Sequence, residues 1–130
     1  MQNNKTILVV EDERPLFEAI KMKIEKSNFS VVVARSVAQA MSYIEDLEKI
    51  DAVWLDHYLF GKEDGLDFVA KLKGHATWKQ IPIFVVSNTA SPEKVQSYLR
   101  LGINKYYVKA EHRLDEIIED IKSFLRHPEE

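Results

Sequence analysis

The chain has 130 residues, no cysteine and a formal net charge of −3. This length is typical of one domain with its own hydrophobic core, and the lack of cysteine excludes disulfides and thiolate metal sites. The slightly acidic balance differs from the basic surface that nonspecific nucleic-acid binding requires. The polar start and the short apolar runs indicate neither a signal peptide nor a membrane-spanning helix. We expect one domain over 1–130, with a core at about 5–126 and a frayed tail at 127–130.

Segments typical of strands alternate with segments typical of helices along the chain. The continuous apolar run at 6–10 is typical of a strand buried on both faces. Further strands are predicted at 29–34, 51–55, 81–86 and 105–108. A helix is predicted after each strand, and these helices contain or adjoin Pro15, Ser36, Gly74, Ser91 to Gly102, and Leu114 to Leu125. Such alternation predicts a parallel sheet with right-handed crossovers and helices on both faces.

Polar side chains follow four of the predicted strands. They are, in chain order, Glu11 with Asp12, then Asp56, Ser87 and Lys109. Because ligands of open α/β sheets bind outside the carboxyl ends of the strands, we expect these groups to share one site. Clustered carboxylates repel one another unless a cation lies among them, whereas a hydroxyl and an ammonium suit an oxyanion. The pattern predicts a site for a divalent metal and a phosphoryl group.

Each of these residues also has an ordinary structural alternative. Acidic residues are favoured at the start of a helix, which would explain Glu11 and Asp12. Asp56 can cap a loop, Ser87 can be a turn residue, and Lys109 can be a surface lysine. Any one of them alone would be weak support for a site, and their common position at strand ends favours the functional interpretation.

An aromatic residue, Tyr106, stands three residues before Lys109 and completes an ordered set. The receiver domains of two-component response regulators have the same types of residue in the same order: an acidic pair, an aspartate, a hydroxyl residue, and an aromatic three residues before a lysine. Essentially the whole chain resembles this family. The resemblance implies a flavodoxin-like sheet of order 2-1-3-4-5, in which strands one and three are neighbours. The acidic pair would then lie beside Asp56.

The resemblance implies that Asp56 is a phosphoacceptor. The donor would be a histidine kinase or a histidine phosphotransfer protein, and the cofactor would be Mg²⁺, which prefers oxygen ligands and retained waters. The implied metal ligands are Asp12, Asp56, the backbone carbonyl of Tyr58, and Glu11 acting through water. Lys109 would neutralise a phosphoryl oxygen and would pair with Asp56 before phosphorylation.

The resemblance also implies a switch formed by Ser87 and Tyr106. The Ser87 hydroxyl would bond the phosphoryl group, and Tyr106 would turn into the vacated space. Strand alternation places Tyr106 and Tyr107 on opposite faces, and the family spacing selects Tyr106. The surface of helix four, strand five and helix five would bind a target protein or, after phosphorylation, a second copy. We expect a cytoplasmic protein that contacts neither nucleic acid nor a membrane directly and acts through its own surface.

Four positions depart from the family pattern, among them Ala110 and Phe60. Ala110 follows Lys109 where the family usually has a cis proline, and we expect a trans bond because a cis bond before a non-proline residue costs about 3 kcal/mol. Phe60 stands where proline is frequent. These departures leave room for a second interpretation, a receiver-like module that binds partners without phosphorylation. Magnesium binding would separate the two.

A third interpretation is an enzyme of similar fold. A haloacid-dehalogenase phosphatase would need a second aspartate two residues after the nucleophile, where this chain has Tyr58. A dinucleotide enzyme would need glycines after the first strand, where this chain has Glu11 and Asp12. The histidines lack metal-ligand spacing, and His57 is expected to point away from Asp56. We expect a signalling phosphoacceptor and not an enzyme that turns over a separate substrate.

Overall fold

The computed structural model describes residues 5–47, 49–89 and 91–126, so the predicted frayed tail lies outside the described residues. The strands are β1 (Thr6–Val10), β2 (Ser30–Ala34), β3 (Ala52–Leu55), β4 (Ile83–Ser87) and β5 (Lys105–Val108). The α-helices are α1 (Arg14–Lys26), α2 (Val37–Asp46), α3 (Gly65–Lys73), α4 (Pro92–Leu101) and α5 (Leu114–Arg126). All described strands pair in parallel in the predicted order, β2-β1-β3-β4-β5. No helix in these ranges is long and apolar enough to cross a membrane.

Two hydrophobic layers cover the two faces of the sheet, because successive side chains of a strand point to opposite faces. Leu8 and Val10 pack with the buried residues of α2, α3 and α4. Ile7 and Val9 pack with the buried residues of α1 and α5, together with Trp54. Burying each such aliphatic side chain contributes about 1.5–3 kcal/mol, which fixes the helices on the sheet. Helices on both faces of the sheet were predicted.

The boundaries of three strands differ from the prediction. Strand β4 was predicted at 81–86 but begins at Ile83, because Pro82 has no N–H for the ladder. It also includes Ser87, which pairs in register with Val108. Strand β3 begins after Asp51, whose N–H donates to the Thr6 carbonyl at 2.8 Å and whose carboxylate accepts from the Thr6 N–H at 2.8 Å. Strand β2 begins at Ser30, one residue later than predicted.

The register of the central strands aligns the candidate site. Val10 of β1 lies opposite Leu55 of β3, so Glu11 and Asp56 leave the sheet side by side. The Asp56 N–H donates to the Val10 carbonyl at 2.9 Å, and the ladder therefore extends to the acidic residue itself. At the far side, Gly102 ends α4 in the left-handed conformation with φ of 93°, as its sequence position predicted.

Candidate functional site

The structure brings together the three carboxylates predicted from the strand ends. Oxygens of Glu11, Asp12 and Asp56 all lie within 4.8 Å of one another. Glu11 is 1% exposed and Asp56 is 5% exposed, whereas Asp12 is half-buried. Three carboxylates at this spacing and burial favour a bound cation, and their oxygens suit Mg²⁺.

Burial in this cluster raises the pKa of Asp56 from 3.8 to about 6. The largest cause is loss of solvent around the carboxylate, and the neighbouring charge of Glu11 adds to it. The Lys109 ammonium and hydrogen bonds from the His57 N–H and the Ser87 hydroxyl oppose the rise. The folded protein therefore disfavours the ionised form of Asp56. A cation bound in addition to the Lys109 ammonium would stabilise that form.

Lys109 contacts two of the three acidic residues. Its Nζ lies 3.0 Å from Glu11 Oε1 and 3.6 Å from Asp56 Oδ2. The pairing with Asp56 was predicted, and the shorter contact with Glu11 was not. Lys109 opens a short 3₁₀ turn, Lys109–Glu111, and no peptide bond of the described ranges is cis. The bond to Ala110 is therefore trans, as expected.

The remaining predicted ligand is the backbone carbonyl of Tyr58, in the loop after Asp56. Tyr58 is 54% exposed, and its ring lies edge-on to the His57 ring, with Lys94 Nζ 5.4 Å from its centroid. The part that this carbonyl takes in metal binding stays a prediction. On the opposite side of the cluster, the Asp12 carbonyl accepts a hydrogen bond of 3.0 Å from Arg35.

The predicted switch residues lie on neighbouring strands. Ser87 is fully buried, and its Oγ accepts a hydrogen bond of 3.4 Å from the Thr89 N–H. Tyr106 is half-buried, and its hydroxyl donates to the Thr89 carbonyl at 2.8 Å. Tyr107 faces the other layer, fully buried, and donates to Asp120 at 2.7 Å. The predicted separation of the two tyrosines onto opposite faces is confirmed.

His57 contributes contacts that sequence reasoning missed. Its ring is buried away from the acidic cluster, with Nδ1 2.6 Å from Tyr98 Oη and Nε2 3.3 Å from Lys94 Nζ. Its N–H donates to Asp56 Oδ1 at 2.8 Å. Burial lowers the pKa of His57, which keeps the ring neutral at pH 7. Two features of the sequence could have indicated this contact: a histidine two residues past a buried strand, and a tyrosine on the inward side of the fourth helix.

The sequence model of the response regulator receiver domain family matches residues 7–122 of the chain. The chain belongs to this family. Phosphorylation and Mg²⁺ binding at an acidic pocket are general to receiver domains of two-component systems. The chain is 30% identical over 122 residues to the phosphate regulon transcriptional regulatory protein PhoB of Pseudomonas aeruginosa, which covers 94% of this chain and 52% of PhoB. It therefore spans about half the length of that relative.

A second relative and two solved structures extend the comparison of this receiver domain. The chemotaxis protein CheY1 of Helicobacter pylori is 28% identical over 108 residues, which covers 79% of this chain and 83% of CheY1. The phosphorylated cyanobacterial phytochrome response regulator RcpA superposes with a TM-score of 0.86 at 25% identity, covering 98% of each chain. A CheY-like receiver domain protein of Methanospirillum hungatei has the same fold, with a TM-score of 0.87 at 23% identity and 98% coverage of each chain.

Proposed function

We propose that this receiver domain takes a phosphoryl group on Asp56 from the phosphohistidine of a histidine kinase or phosphotransfer protein. The observation that carries the proposal is the meeting of three carboxylates and one ammonium at a single sheet edge. Phosphoryl transfer depends mainly on positioning and charge stabilisation, which such a set of side chains supplies.

The acidic residues fit Mg²⁺ as the cofactor. Asp12 and Asp56 would hold it directly, Glu11 through water, and the Tyr58 carbonyl would complete the protein ligands. The bound ion would screen the carboxylate charges from the oxygens of the incoming phosphoryl group. Burial beside Glu11 raises the pKa of Asp56, so a cation bound there would favour the ionised, nucleophilic form of the carboxyl group.

The chemical step is a substitution at phosphorus. An oxygen of the Asp56 carboxylate bonds to phosphorus as the bond to the donor imidazole nitrogen breaks, and that nitrogen keeps the electron pair and is protonated. The product is an acyl phosphate on Asp56. Lys109, already 3.6 Å from Asp56 Oδ2, would neutralise charge on a phosphoryl oxygen. The only reactions catalysed would be this transfer and the later hydrolysis of the acyl phosphate.

The signal would leave through the surface formed by α4, β5 and α5. The Ser87 hydroxyl, which bonds Asp56 before phosphorylation, would donate to the phosphoryl group, and the Tyr106 hydroxyl would leave the Thr89 carbonyl as its ring moves inward. A gap of a few kcal/mol between two packings is enough for such a change. The changed surface would bind a target protein, in the cytoplasm typical of the family, with no direct contact to nucleic acid or a membrane.

The test is a Mg²⁺ titration followed by beryllofluoride, read from Trp54 fluorescence and from calorimetry. Trp54 is fully buried two residues before Asp56 and is expected to sense both additions. Both responses are expected to disappear in Asp56→Asn. Asp51→Asn removes another well-buried carboxylate at the opposite sheet edge and is expected to keep them. An absence of Mg²⁺ binding by calorimetry would contradict the proposal.

One observation favours a second candidate, a receiver-like module that binds partners without phosphorylation. The Lys109 ammonium lies close enough to Glu11 and Asp56 to compensate part of their charge without a metal. Partner binding that is unchanged in Asp56→Asn and in the absence of divalent cations would support this candidate.

A further inference from the structure

His57 bonds to three separate parts of the molecule. Its N–H donates to Asp56 Oδ1 at 2.8 Å, and its carbonyl accepts from the Gly65 N–H, at the start of α3, at 3.0 Å. Its ring Nδ1 lies 2.6 Å from the hydroxyl of Tyr98 on α4. The residue is 2% exposed, so these bonds are shielded from competing water. His57 therefore joins the candidate phosphoacceptor to two helices.

The contact of the second ring nitrogen, Nε2, determines which nitrogen of the His57 ring carries the proton. Nε2 lies 3.3 Å from Lys94 Nζ, and an ammonium can only donate. Nε2 therefore accepts, and Nδ1 carries the proton that is donated to the Tyr98 oxygen. Asp64 Oδ2 lies 3.8 Å from Nε2, too far for a hydrogen bond. Both ring nitrogens are thus held by residues of α4.

The packing around this contact leaves little room for movement. Tyr98 is fully buried, and its hydroxyl occupies the space where a side chain at Gly65 would begin. The same point lies 3.0 Å from the Asp56 carbonyl oxygen and 3.1 Å from the His57 Cα. Because interiors packed this closely transmit displacements, a shift of His57 would move α4.

We propose that His57 is a positioning residue for Asp56 and that Tyr98 anchors it, so that the state of Asp56 is coupled to α4. The His57 N–H holds Oδ1, which leaves Oδ2, on the side of Lys109, as the oxygen that attacks phosphorus. This proposal rests on the proposed function, and it adds a route from Asp56 to α4 through His57, which meets the predicted switch where the Tyr98 ring lies 5.7 Å from the Tyr106 ring. Coupling between binding free energies is reciprocal, so a partner that binds α4 would also change the affinity of the Asp56 site for beryllofluoride.

The test compares Tyr98→Phe with Tyr107→Phe. Each variant removes one hydroxyl from a fully buried tyrosine, and the Tyr107 hydroxyl bonds Asp120 on the opposite face of the sheet. Backbone amide NMR is recorded with Mg²⁺, before and after beryllofluoride. The initial rate of phosphorylation by acetyl phosphate and the Mg²⁺ affinity are measured on the same samples.

In the wild-type protein we expect beryllofluoride to shift the amides near Asp56 and those of α4. In Tyr98→Phe the shifts near Asp56 are expected to persist, while those of α4 fall at least twofold. Phosphorylation is expected to slow about fivefold, the effect on a rate of losing one positioning hydrogen bond. Its Mg²⁺ affinity is expected to fall less than the rate does, because Asp12, which also binds the ion, is not positioned by His57. Tyr107→Phe is expected to keep the wild-type response of α4 and the wild-type rate.

Variants of His57 give an independent measure. His57→Gln retains a side-chain N–H that can reach Tyr98 and is expected to keep more than half of the α4 response. His57→Leu, which fills a similar volume without a donor, is expected to lose it. This pair decides the question if Tyr98→Phe does not fold.

The outcomes separate this proposal from the proposed function. An α4 response in Tyr98→Phe and His57→Leu equal to that of the wild type would overturn the coupling alone. The same holds if the wild-type amides near Asp56 shift while those of α4 do not. A wild-type protein with no beryllofluoride response near Asp56 would overturn the proposed function, and the coupling with it.

Discussion

The Asp56 carboxylate lies at a buried position that disfavours its negative charge. Its pKa rises from 3.8 to about 6 on folding, chiefly through burial. Between these two values the folded chain binds more protons at this group than the unfolded chain does. The contribution of Asp56 to stability is therefore greatest at low pH and is lost as the pH rises through the window from 3.8 to about 6.

Replacing Asp56 with asparagine is expected to stabilise the metal-free protein at pH 7. The neutral amide has the shape of the protonated acid, and a shift of this size corresponds to about 2–3 kcal/mol in the free energy of unfolding. The measurement is denaturant unfolding without divalent cations at pH 7 and at pH 4, where the gain is expected to fall below about 1 kcal/mol.

Asp51→Asn is the control for this experiment. The Asp51 carboxylate accepts a hydrogen bond from the Thr6 N–H at 2.8 Å and lies 3.3 Å from Lys49 Nζ. Its negative charge therefore has partners that stabilise it in the folded protein. The substitution is expected to bring no gain in stability at pH 7. An Asp56→Asn variant no more stable than the wild type at pH 7 would contradict the account of the acidic cluster.

At the scale of elements, the junction between β3 and α3 is the most constrained part of the site. Asp64 caps α3 in a reciprocal capping box with Asp67, and α3 then begins at Gly65, beneath the Tyr98 hydroxyl. Helix α3, the loop after Asp56 and α4 therefore meet at one glycine. This capping box and this close approach were not predicted, because they depend on how the helices pack.

Gly65→Ala is expected to reduce the free energy of unfolding by about 2 kcal/mol, since the added carbon overlaps the Tyr98 hydroxyl. Tyr98→Phe in the same chain is expected to recover part of this loss, because it removes the overlapping oxygen. The contacts with the Asp56 carbonyl and the His57 Cα remain in the double variant. Denaturant unfolding of both single variants and the double variant measures the interaction.

Gly74→Ala provides the matched comparison. A side chain at Gly74 would meet its nearest atom, the Ala70 carbonyl oxygen, at 3.4 Å, and we expect a change in stability of less than about 0.5 kcal/mol. Strictly additive effects of Gly65→Ala and Tyr98→Phe would show that the hydroxyl is not what excludes a side chain at Gly65.

At the scale of the whole molecule, the sheet separates two layers, and α4 and α5 lie in different layers joined through the edge strand β5. The predicted switch acts on this edge. Leu99 of α4 is 46% exposed there, and Met22 of α1 is 58% exposed in the α1 and α5 layer. Exposed apolar groups of this kind are what a protein interface would cover.

A phosphorylation-dependent dimer through α4 and α5 is expected to depend on Leu99. With Mg²⁺ and beryllofluoride, the wild-type protein is expected to sediment as a dimer, and Leu99→Asp is expected to remain a monomer because the interface would bury an unpaired charge. Met22→Asp introduces the same charge on α1 and is expected to dimerise. A wild-type protein that stays monomeric with beryllofluoride would contradict the dimer.

The sequence by itself determined the alternating strands and helices, since continuous apolar runs and their turn residues are local patterns. It also placed Glu11, Asp12 and Asp56 together, because the carboxyl ends of parallel strands share one edge. The period of a strand separated Tyr106 from Tyr107 in the same way. These features depend on residues close in the chain or on the family order of strands.

The tertiary structure decided which partners complete those groups. Lys109 and Glu11 are 98 residues apart in the chain, and His57 and Tyr98 are 41 apart. A local pattern records that a side chain is buried or polar, but its hydrogen-bond partner follows from helix positions set by the packing of both layers. The pairing of strands likewise placed Ser87 inside the sheet, in register with Val108 of β5.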